Sequence, residues 1–578
     1  MLDKLDGLLV RHFRLWGGLY AVAVLVLMAA ALYTLGVSAW RGPWRDTWEA
    51  MPFIEKALAG QARLRDYWEQ YGYSHRPLVS RWLWVADIRW FAGSNHLLLA
   101  VSLLMQSIIY LAVRAVLRRD ASFDAYQRCI VLVGVLFCLY NITQVFNFLH
   151  TFDVQWFVTA AGVTVSLERI LAGAAEKKSL TLLLAWSGVF VGSLNNFSAL
   201  VMWPVDILLL VALQYRRSQL LGFVFATIVY LLFYFHDLPS GSDMTVGQLL
   251  QHSTAEILQA VCGVLVVFPL WYLSNPLSFQ LSTEGPLHAL WPVSWLAPVA
   301  MGILLLCVFR AWWQGLLQRK QYSAVAWLGL SLVLYGYGVG VVTALGRGLF
   351  WDNVYALRYQ NIVLLSWIGI VLWLASSVQR RHVGLFAGAA MLLLFFTVNL
   401  GWNHSNILKM ANRTRDAHLA LVAGLENRLS AIQATVSRSH LYEGTDYSLA
   451  DAAQYLRAIP AGPYADPAWQ IPALGSLQQS AVCKDVASFD VHGDDASYAR
   501  LSIMFAQPVQ YSVMAWFDVD KKNPGLLIAV RADTFLARLQ QSMKGFSEYA
   551  GFARQLPQEK PDNVFARVGE NWCRLILE

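Results

Sequence analysis

Asp46 and Glu49 stand three residues apart in the stretch "WRDTWEAMPF", beside Arg45 and just after a long apolar run has ended. A carboxylate fixed at the end of an apolar span, over a floor that excludes water, is well placed to act as a general base. Burial and neighbouring charge can tune its pKa toward that task. The plainer reading of Asp46 is that it caps a helix over Thr47–Leu58 and satisfies its first amides. His75 and Arg76 lie further along the same polar stretch, and a second pair of cations, Arg347 and Arg358, lies far downstream in "GRGLFWDNVYALRYQN". Arginine binds phosphate through two parallel hydrogen bonds and keeps its charge at any relevant pH. A single arginine at such a boundary is more simply a snorkelling side chain.

The elements that must hold these residues are membrane spans. The chain has 578 residues, 57% hydrophobic and only 14% charged, where a soluble protein carries about a quarter charged residues. Eleven apolar runs, from Trp16–Val37 to Val383–Leu400, approach the roughly 20 residues that cross a hydrocarbon core. A further run, Ile257–Leu273, is ambiguous. The net charge of +7 does not point to nucleic acid, because Lys and Arg gather in short connections between runs. That pattern sets orientation, and it places the N-terminus, Lys4, Arg11 and Arg14 included, in the cytoplasm. The first run is succeeded by Trp and charge without a small-residue cleavage motif, so it is expected to be retained.

The same parity decides the ambiguous run. A full span at Ile257–Leu273 would put Arg310–Lys320 outside, so a re-entrant or interfacial segment is expected there, after an amphipathic helix near Val246–Ala260. The fold predicted is an α-helical polytopic membrane protein with about eleven spans over residues 1–400 and an outer domain over 401–578. The first outer loop, 38–95, is dense in Trp and Tyr, as suits a membrane interface, with short helices at Trp48–Leu58 and Leu64–Glu69. The outer domain is expected to open with a helix at Ile407–Val436 and to continue as a small β-sandwich built from alternating runs such as "YSVMAWFDV" and "GLLIAVRA". Cys483 and Cys573 fall in that domain, where an oxidising compartment permits a disulfide; two unpaired thiols in a small core are the other reading.

Polar residues at the outer ends of other spans add to the picture, since such groups are costly in a membrane unless they line a cavity. Asn147, His150, Asp153 and Gln155 cluster in one connection, Asn195 and Asn196 in another, and His236 and Asp237 end a third run. Asp153 is a candidate second acid or a partner for an arginine.

An acid just after the first span, a long amphipathic first outer loop and a soluble outer C-terminal part together resemble the GT-C glycosyltransferases. These are polytopic enzymes that use polyprenyl-phosphate-linked sugars, among them protein O-mannosyltransferases and lipid A aminoarabinose transferases. The residues that carry the resemblance over the first 400 or so positions are "DTW" (Asp46–Trp48), "SHRPL" (Ser74–Leu78), "LSNPL" (Leu273–Leu277) and "LRY" (Leu357–Tyr359). Two positions depart from the pattern. Ser74 stands where an acid precedes the His-Arg pair, and Asp46 and Glu49 are spread rather than adjacent. The spread puts a metal in doubt, because a divalent ion needs several oxygen ligands; Mg or Mn is admitted but not required.

The resemblance implies that Asp46 is the catalytic base of an inverting transfer to a hydroxyl. Glu49, His75, Arg76, Asp153, Arg347, Arg358 and Tyr359 would bind substrate, Arg358 and Tyr359 stabilising the departing polyprenyl phosphate. The acceptor could be protein, lipid or glycan, with arabinofuranose onto pilin as one such pair. The implied location is the bacterial inner membrane with the tail in the periplasm. A transporter or lipid-linked-sugar flippase is the alternative. It predicts inverted internal repeats, which the sequence does not display.

Overall fold

A computed structural model of the chain describes residues 2–39, 42–43, 46–70, 75–175, 177–236, 254–275, 296–347 and 357–376. In the tail it describes residues 407, 408, 411, 414 and 418, the stretches 449–465 and 477–495, and six further strands. The first helix, α1 (Leu2–Ser38), leads into four short loop helices: α2 (Asp46–Glu49), α3 (Met51–Leu58), α4 (Leu64–Trp68) and α5 (Leu78–Phe91). Then come α6 (His96–Arg119), α7 (Ala125–Leu139), α8 (Ile142–Leu149), α9 (Val154–Gly173), α10 (Ser179–Ser193), α11 (Met202–Ala212) and α12 (Arg217–Phe235). A π turn at Gly263–Val267 joins α13 (Thr254–Cys262) to α14 (Phe268–Ser274). The bundle is completed by α15 (Leu296–Leu316), α16 (Ala324–Arg347) and α17 (Gln360–Ser376).

Six helices among the described residues are long and apolar enough to cross a membrane, or seven if the bent pair α7–α8 counts as one span. The chain is thus a helical membrane protein, but the predicted eleven spans are not matched by length and apolarity alone. Two of the missing helices, α10 and α17, are shorter than the roughly 20 residues of a full span. Both lie against close partners. A Cβ added at Gly162 of α9 would meet the Gly188 carbonyl of α10 at 2.3 Å, and one at Gly329 of α16 would meet the Gly369 carbonyl of α17 at 2.5 Å. Glycines at these crossings let two backbones touch, the usual way of packing helices in lipid. The run 383–400 lies outside the described residues.

The run predicted not to cross, 257–273, falls in the segment Glu256–Ser274, which is long and apolar enough to cross. It packs against α16, where the Leu265 carbonyl accepts from the Tyr337 hydroxyl at 2.7 Å, Pro269 and Tyr272 press on Gly340, and Leu273 presses on Gly336. Of the amphipathic helix expected at 246–260, only its second half is described, as the start of α13.

The first loop is a folded layer. The helix expected at Trp48–Leu58 is broken at Ala50 into α2 and α3, because Pro52 has no N–H to return to the Trp48 carbonyl. Helix α5, which the sequence reading did not anticipate, is inverted in character. Its buried residues are Ser80, Arg81, Trp84 and Asp87, while Trp82 and Trp90 are 58% and 73% exposed. The buried polar groups act as fasteners. Ser80 donates from N and Oγ to Asn195 Oδ1, and Arg81 donates to the carbonyls of Asp66, Tyr67 and Glu69. The Asp87 carboxylate accepts from the backbone N–H groups of Asn95 and Leu97 at the start of α6. Trp84 stacks on Phe152 with ring centroids 4.8 Å apart.

In the tail, Ile407, Leu408, Ala411, Thr414 and His418 are helical and buried, a spacing of three to four that turns one face inward. Ile407 packs with Ala31 and Leu35 of α1 and Ile142 and Val145 of α8. Helix α18 (Leu449–Ala458) precedes a turn that docks on the loop, where the Gly462 N–H donates to the Ala92 carbonyl at 2.8 Å. The strands β1 (Val482–Asp495), β2 (Tyr498–Phe505), β3 (Val513–Phe517), β4 (Pro524–Ala529), β5 (Ser547–Ala553), β6 (Val564–Val568) and β7 (Asn571–Leu577) form one closed barrel in the order β1-β2-β5-β4-β3-β6-β7. This corrects the expected sandwich. Alternating residues suit both architectures, and the parallel pairing of β1 with β7 closes the ring. Cys483 of β1 and Cys573 of β7 form a disulfide across that seam.

Candidate functional site

The site is assembled at the end of the bundle that carries the first loop. Helix α2, with Asp46 and Glu49, lies beside the turn Thr151–Asp153, which leads directly into α9. One turn into α9, the Trp156 ring stands edge-on to Tyr359 at 5.6 Å and to His75 at 6.4 Å. Tyr359 in turn lies 5.7 Å from the Tyr272 ring. The Arg358 guanidinium is placed over the Tyr359 ring at 5.3 Å, a contact in which the ring's electrons face the cation. Asp46 and Arg358, more than 300 positions apart in the chain, lie on elements that touch neighbouring parts of one connection: α2 touches the turn Thr151–Asp153, and Trp156, three residues beyond it, touches Tyr359. The turn Leu357–Tyr359 also packs on α8.

The Asp153 Oδ2 is 2.8 Å from His150 Nδ1, close enough for an ion pair but outside hydrogen-bond geometry, with both side chains almost wholly buried among the rings of Phe146 and Phe152. His75 is oriented differently, its Nδ1 accepting the Phe197 N–H at 3.2 Å.

Arg76, expected to bind substrate, is held by contacts within the protein. Its Nε donates to the Tyr234 carbonyl and its Nη1 to the Trp68 carbonyl, each at 3.0 Å. The guanidinium also lies 4.8 Å from the Trp68 ring and 5.6 Å from that of Tyr234. It ties the loop to α12 while Nη2 keeps no hydrogen-bond partner among the described residues. Asn195 and Asn196 are likewise structural, the first holding Ser80 and the second capping the turn Phe197–Val201. Arg347 ends α16. The side chains of Asp46, Glu49 and Arg347 lie outside the described residues, as does Asp237. Among the described residues no three His, Cys, Asp or Glu side chains gather to hold a metal ion.

Beneath the Arg358 turn is a set of buried amides that the sequence reading named only in part. Gln106 of α6 and Gln144 of α8 both donate toward Asn361 Oδ1, at 3.4 and 3.5 Å, and Asn147 donates to Gln144 Oε1 at 3.0 Å. A glutamine inside the apolar run "LLLAVSLLMQSIIYLAV" was the signal available for Gln106, since a polar group there is costly without a purpose. Trp156 and Tyr272 carried no comparable signal, because aromatic residues are common throughout these helices.

Compared with known proteins, the chain matches no family model, no curated protein and no solved structure.

Proposed function

We propose that this protein is an inverting glycosyltransferase that moves a sugar from a polyprenyl-phosphate donor to a hydroxyl acceptor at the membrane surface. The observation that supports this reading most is that the segment 150–156 touches the Asp46 helix through its turn at Thr151–Asp153 and the Arg358–Tyr359 turn through Trp156. A cation backed by an aromatic ring at a span end suits a phosphate whose lipid tail stays in the bilayer. An acid on the neighbouring element suits an acceptor arriving from water.

In the reaction, the acceptor oxygen bonds to the anomeric carbon from the face opposite the phosphate. The bond between that carbon and the phosphate oxygen breaks, and polyprenyl phosphate leaves with the electron pair. The acceptor proton passes to the Asp46 carboxylate. Negative charge on the leaving phosphate grows in the transition state, so a fixed guanidinium at Arg358 accelerates the step as well as binding the donor. The proposed setting is a bacterial inner membrane with the site on the periplasmic side, and the tail, docked on the first loop, would present the acceptor.

A second reading, a flippase for lipid-linked sugars, draws on the 46° bend between α7 and α8, since broken helices line transport sites. Reconstitution in vesicles with a panel of polyprenyl-phosphate sugars separates the two. Transfer to an added acceptor, seen by mass spectrometry and lost in Asp46→Asn and Arg358→Ala, supports the enzyme. Donor movement between leaflets without any product would replace it with the flippase, and parent-like transfer by both variants would reject the site.

A further inference from the structure

Gln106, Gln144, Asn147 and Asn361 come from three separate helices, α6, α8 and α17, and each is at most 2% exposed. Their mutual hydrogen bonds do not satisfy them. Gln106 Oε1, Asn147 Oδ1 and Asn361 Nδ2 have no hydrogen-bond partner among the described residues, and neither does Oε1 of the adjoining Gln360. Buried polar atoms are ordinarily paired, and an orphan costs about 1–3 kcal/mol. A cluster of several in one place is a demand for an occupant with hydroxyl groups.

Position narrows the identity of that occupant. Asn361 lies one helical turn beyond Arg358 in the chain, so the network starts beside the turn that carries Arg358. Gln106 is ten residues into α6, roughly 15 Å below the end of the helix at His96. The network therefore leads from the site into the bundle. Helix α8 is built to hold it, with Gln144 and Asn147 one turn apart on one face and Val145, Phe148 and Leu149 packed on the other toward α1.

Chemistry narrows it further. All four side chains are neutral amides. Each can both donate and accept, whichever way the amide is turned, and so can each hydroxyl of a sugar. An ammonium or a carboxylate would sit among these amides without a counter-charge, and burying an unpaired charge is far costlier than burying a paired hydroxyl.

We infer that the Gln106–Gln144–Asn147–Asn361 network is the sugar subsite of the donor, and that it selects a neutral, polyhydroxylated sugar over one bearing an amino or carboxyl group. This inference rests on the glycosyltransferase reading and assigns its substrate class.

The test measures binding to the full-length protein in lipid nanodiscs. Three ligands carry the same polyprenyl phosphodiester: one with a methyl group, one with an unsubstituted pentose and one with an aminopentose. The neutral pentose is expected to bind roughly tenfold or more tightly than the methyl diester, and the aminopentose no more tightly than the methyl diester. In Gln106→Leu, and separately in Asn361→Leu, the advantage of the pentose should vanish while the methyl diester still binds as in the parent, which also reports that the variants are folded. Arg358→Ala should weaken all three ligands. If the two leucine variants keep the preference for the pentose, or if the aminopentose binds as tightly as the pentose, the subsite is overturned while the phosphate site stands. If none of the diesters binds the parent, the donor reading itself falls, and this subsite with it.

Discussion

The two ends of the helical bundle treat buried polarity in opposite ways. Opposite the site, the buried carboxylate of Glu168 on α9 is held by Arg119 of α6 and by Arg169, and the heads of both arginines reach toward solvent. Lys177 nearby caps α11 through the Leu213 carbonyl. There, the buried charge meets opposite charge, although Gln219 Oε1 and Arg128 Nε also keep no hydrogen-bond partner among the described residues. At the site end, Arg358 and Arg76 lie over aromatic rings, the buried pair joins a histidine to an aspartate, and the amides leave several atoms unanswered among the described residues. Polar groups that complete each other stabilise a fold. What sets the site end apart is that its orphaned amides cluster in one network, at Gln106, Asn147, Gln360 and Asn361.

The most severe test of that contrast is loss of function without loss of fold. Arg358→Ala is expected to lower the rate of sugar transfer by roughly 10²–10³-fold, the usual effect of removing a fixed donor aimed at developing charge. Asp46→Asn should lower it by about 10²–10⁴-fold, as expected for a general base. The thermal melting of both variants should stay near the parent's. A variant that unfolds instead would make the site end as structural as its opposite.

A smaller effect is expected where the tail meets the loop. His418 is buried with Nε2 donating to the Pro43 carbonyl at 2.9 Å and its ring edge-on to Trp48. Burial pushes its pKa down to about 4 from an ordinary 6.5, against the pull of the Pro43 carbonyl. The folded ring stays neutral between those values while the unfolded chain takes up a proton. Stability is therefore fully present above pH 6.5 and is lost as pH falls toward 4, by roughly 3 kcal/mol. Asp87, at the same seam, works the other way. Burial raises its carboxyl above the usual range despite two backbone N–H donors, so its protonation restores some stability at the acid end. Melting curves at pH 7, 5 and 4 should show the parent weakening and His418→Gln, which keeps a donor but cannot charge, changing much less. An identical decline in both would place the pH sensitivity elsewhere.

How much of this was legible depends on whether a feature is local. Apolar runs such as 96–117 and 324–345 announce their helices, and Arg358 stood out because it broke the charge pattern of its side. Helix α5 stayed hidden because its inward face carries Ser80, Arg81 and Asp87 while its tryptophans look outward, which inverts the pattern that marks a soluble amphipathic helix. Strand alternation was readable, but closure was not, since it depends on β1 meeting β7 from opposite ends of the barrel segment. His150 and Asp153 were both noticed, yet their pairing needed the bend of the backbone at that turn. The amide network required knowing that α6, α8 and α17 adjoin, and no short-range pattern encodes that.

The paired end offers a milder mutation. Glu168→Gln keeps the shape of the side chain and removes its charge. The two arginines can turn to water, so the loss should be about 1–2 kcal/mol rather than the larger cost of stranding a buried charge. Sugar transfer per folded molecule should be unchanged. A large drop in transfer would mean that the two ends are coupled and that the contrast between them is not one of role.

The last variant tells most through what accompanies its change in stability. Asn361→Leu replaces a buried amide that has an unpartnered nitrogen with an apolar side chain of similar size. It removes one orphaned donor, but it also takes away the acceptor of two weak hydrogen bonds from Gln106 and Gln144, at 3.4 and 3.5 Å. An unsatisfied buried group costs about 1–3 kcal/mol. One orphan is removed and two donors are stranded, so the empty protein should lose about 1–3 kcal/mol. If one end is arranged for a ligand and the other for itself, the melting temperature should fall in both Asn361→Leu and Glu168→Gln, and only Asn361→Leu should lose the preference for a sugar-bearing donor. An Asn361→Leu protein that keeps this preference would show that the amides serve the fold alone, and the difference between the two ends would disappear.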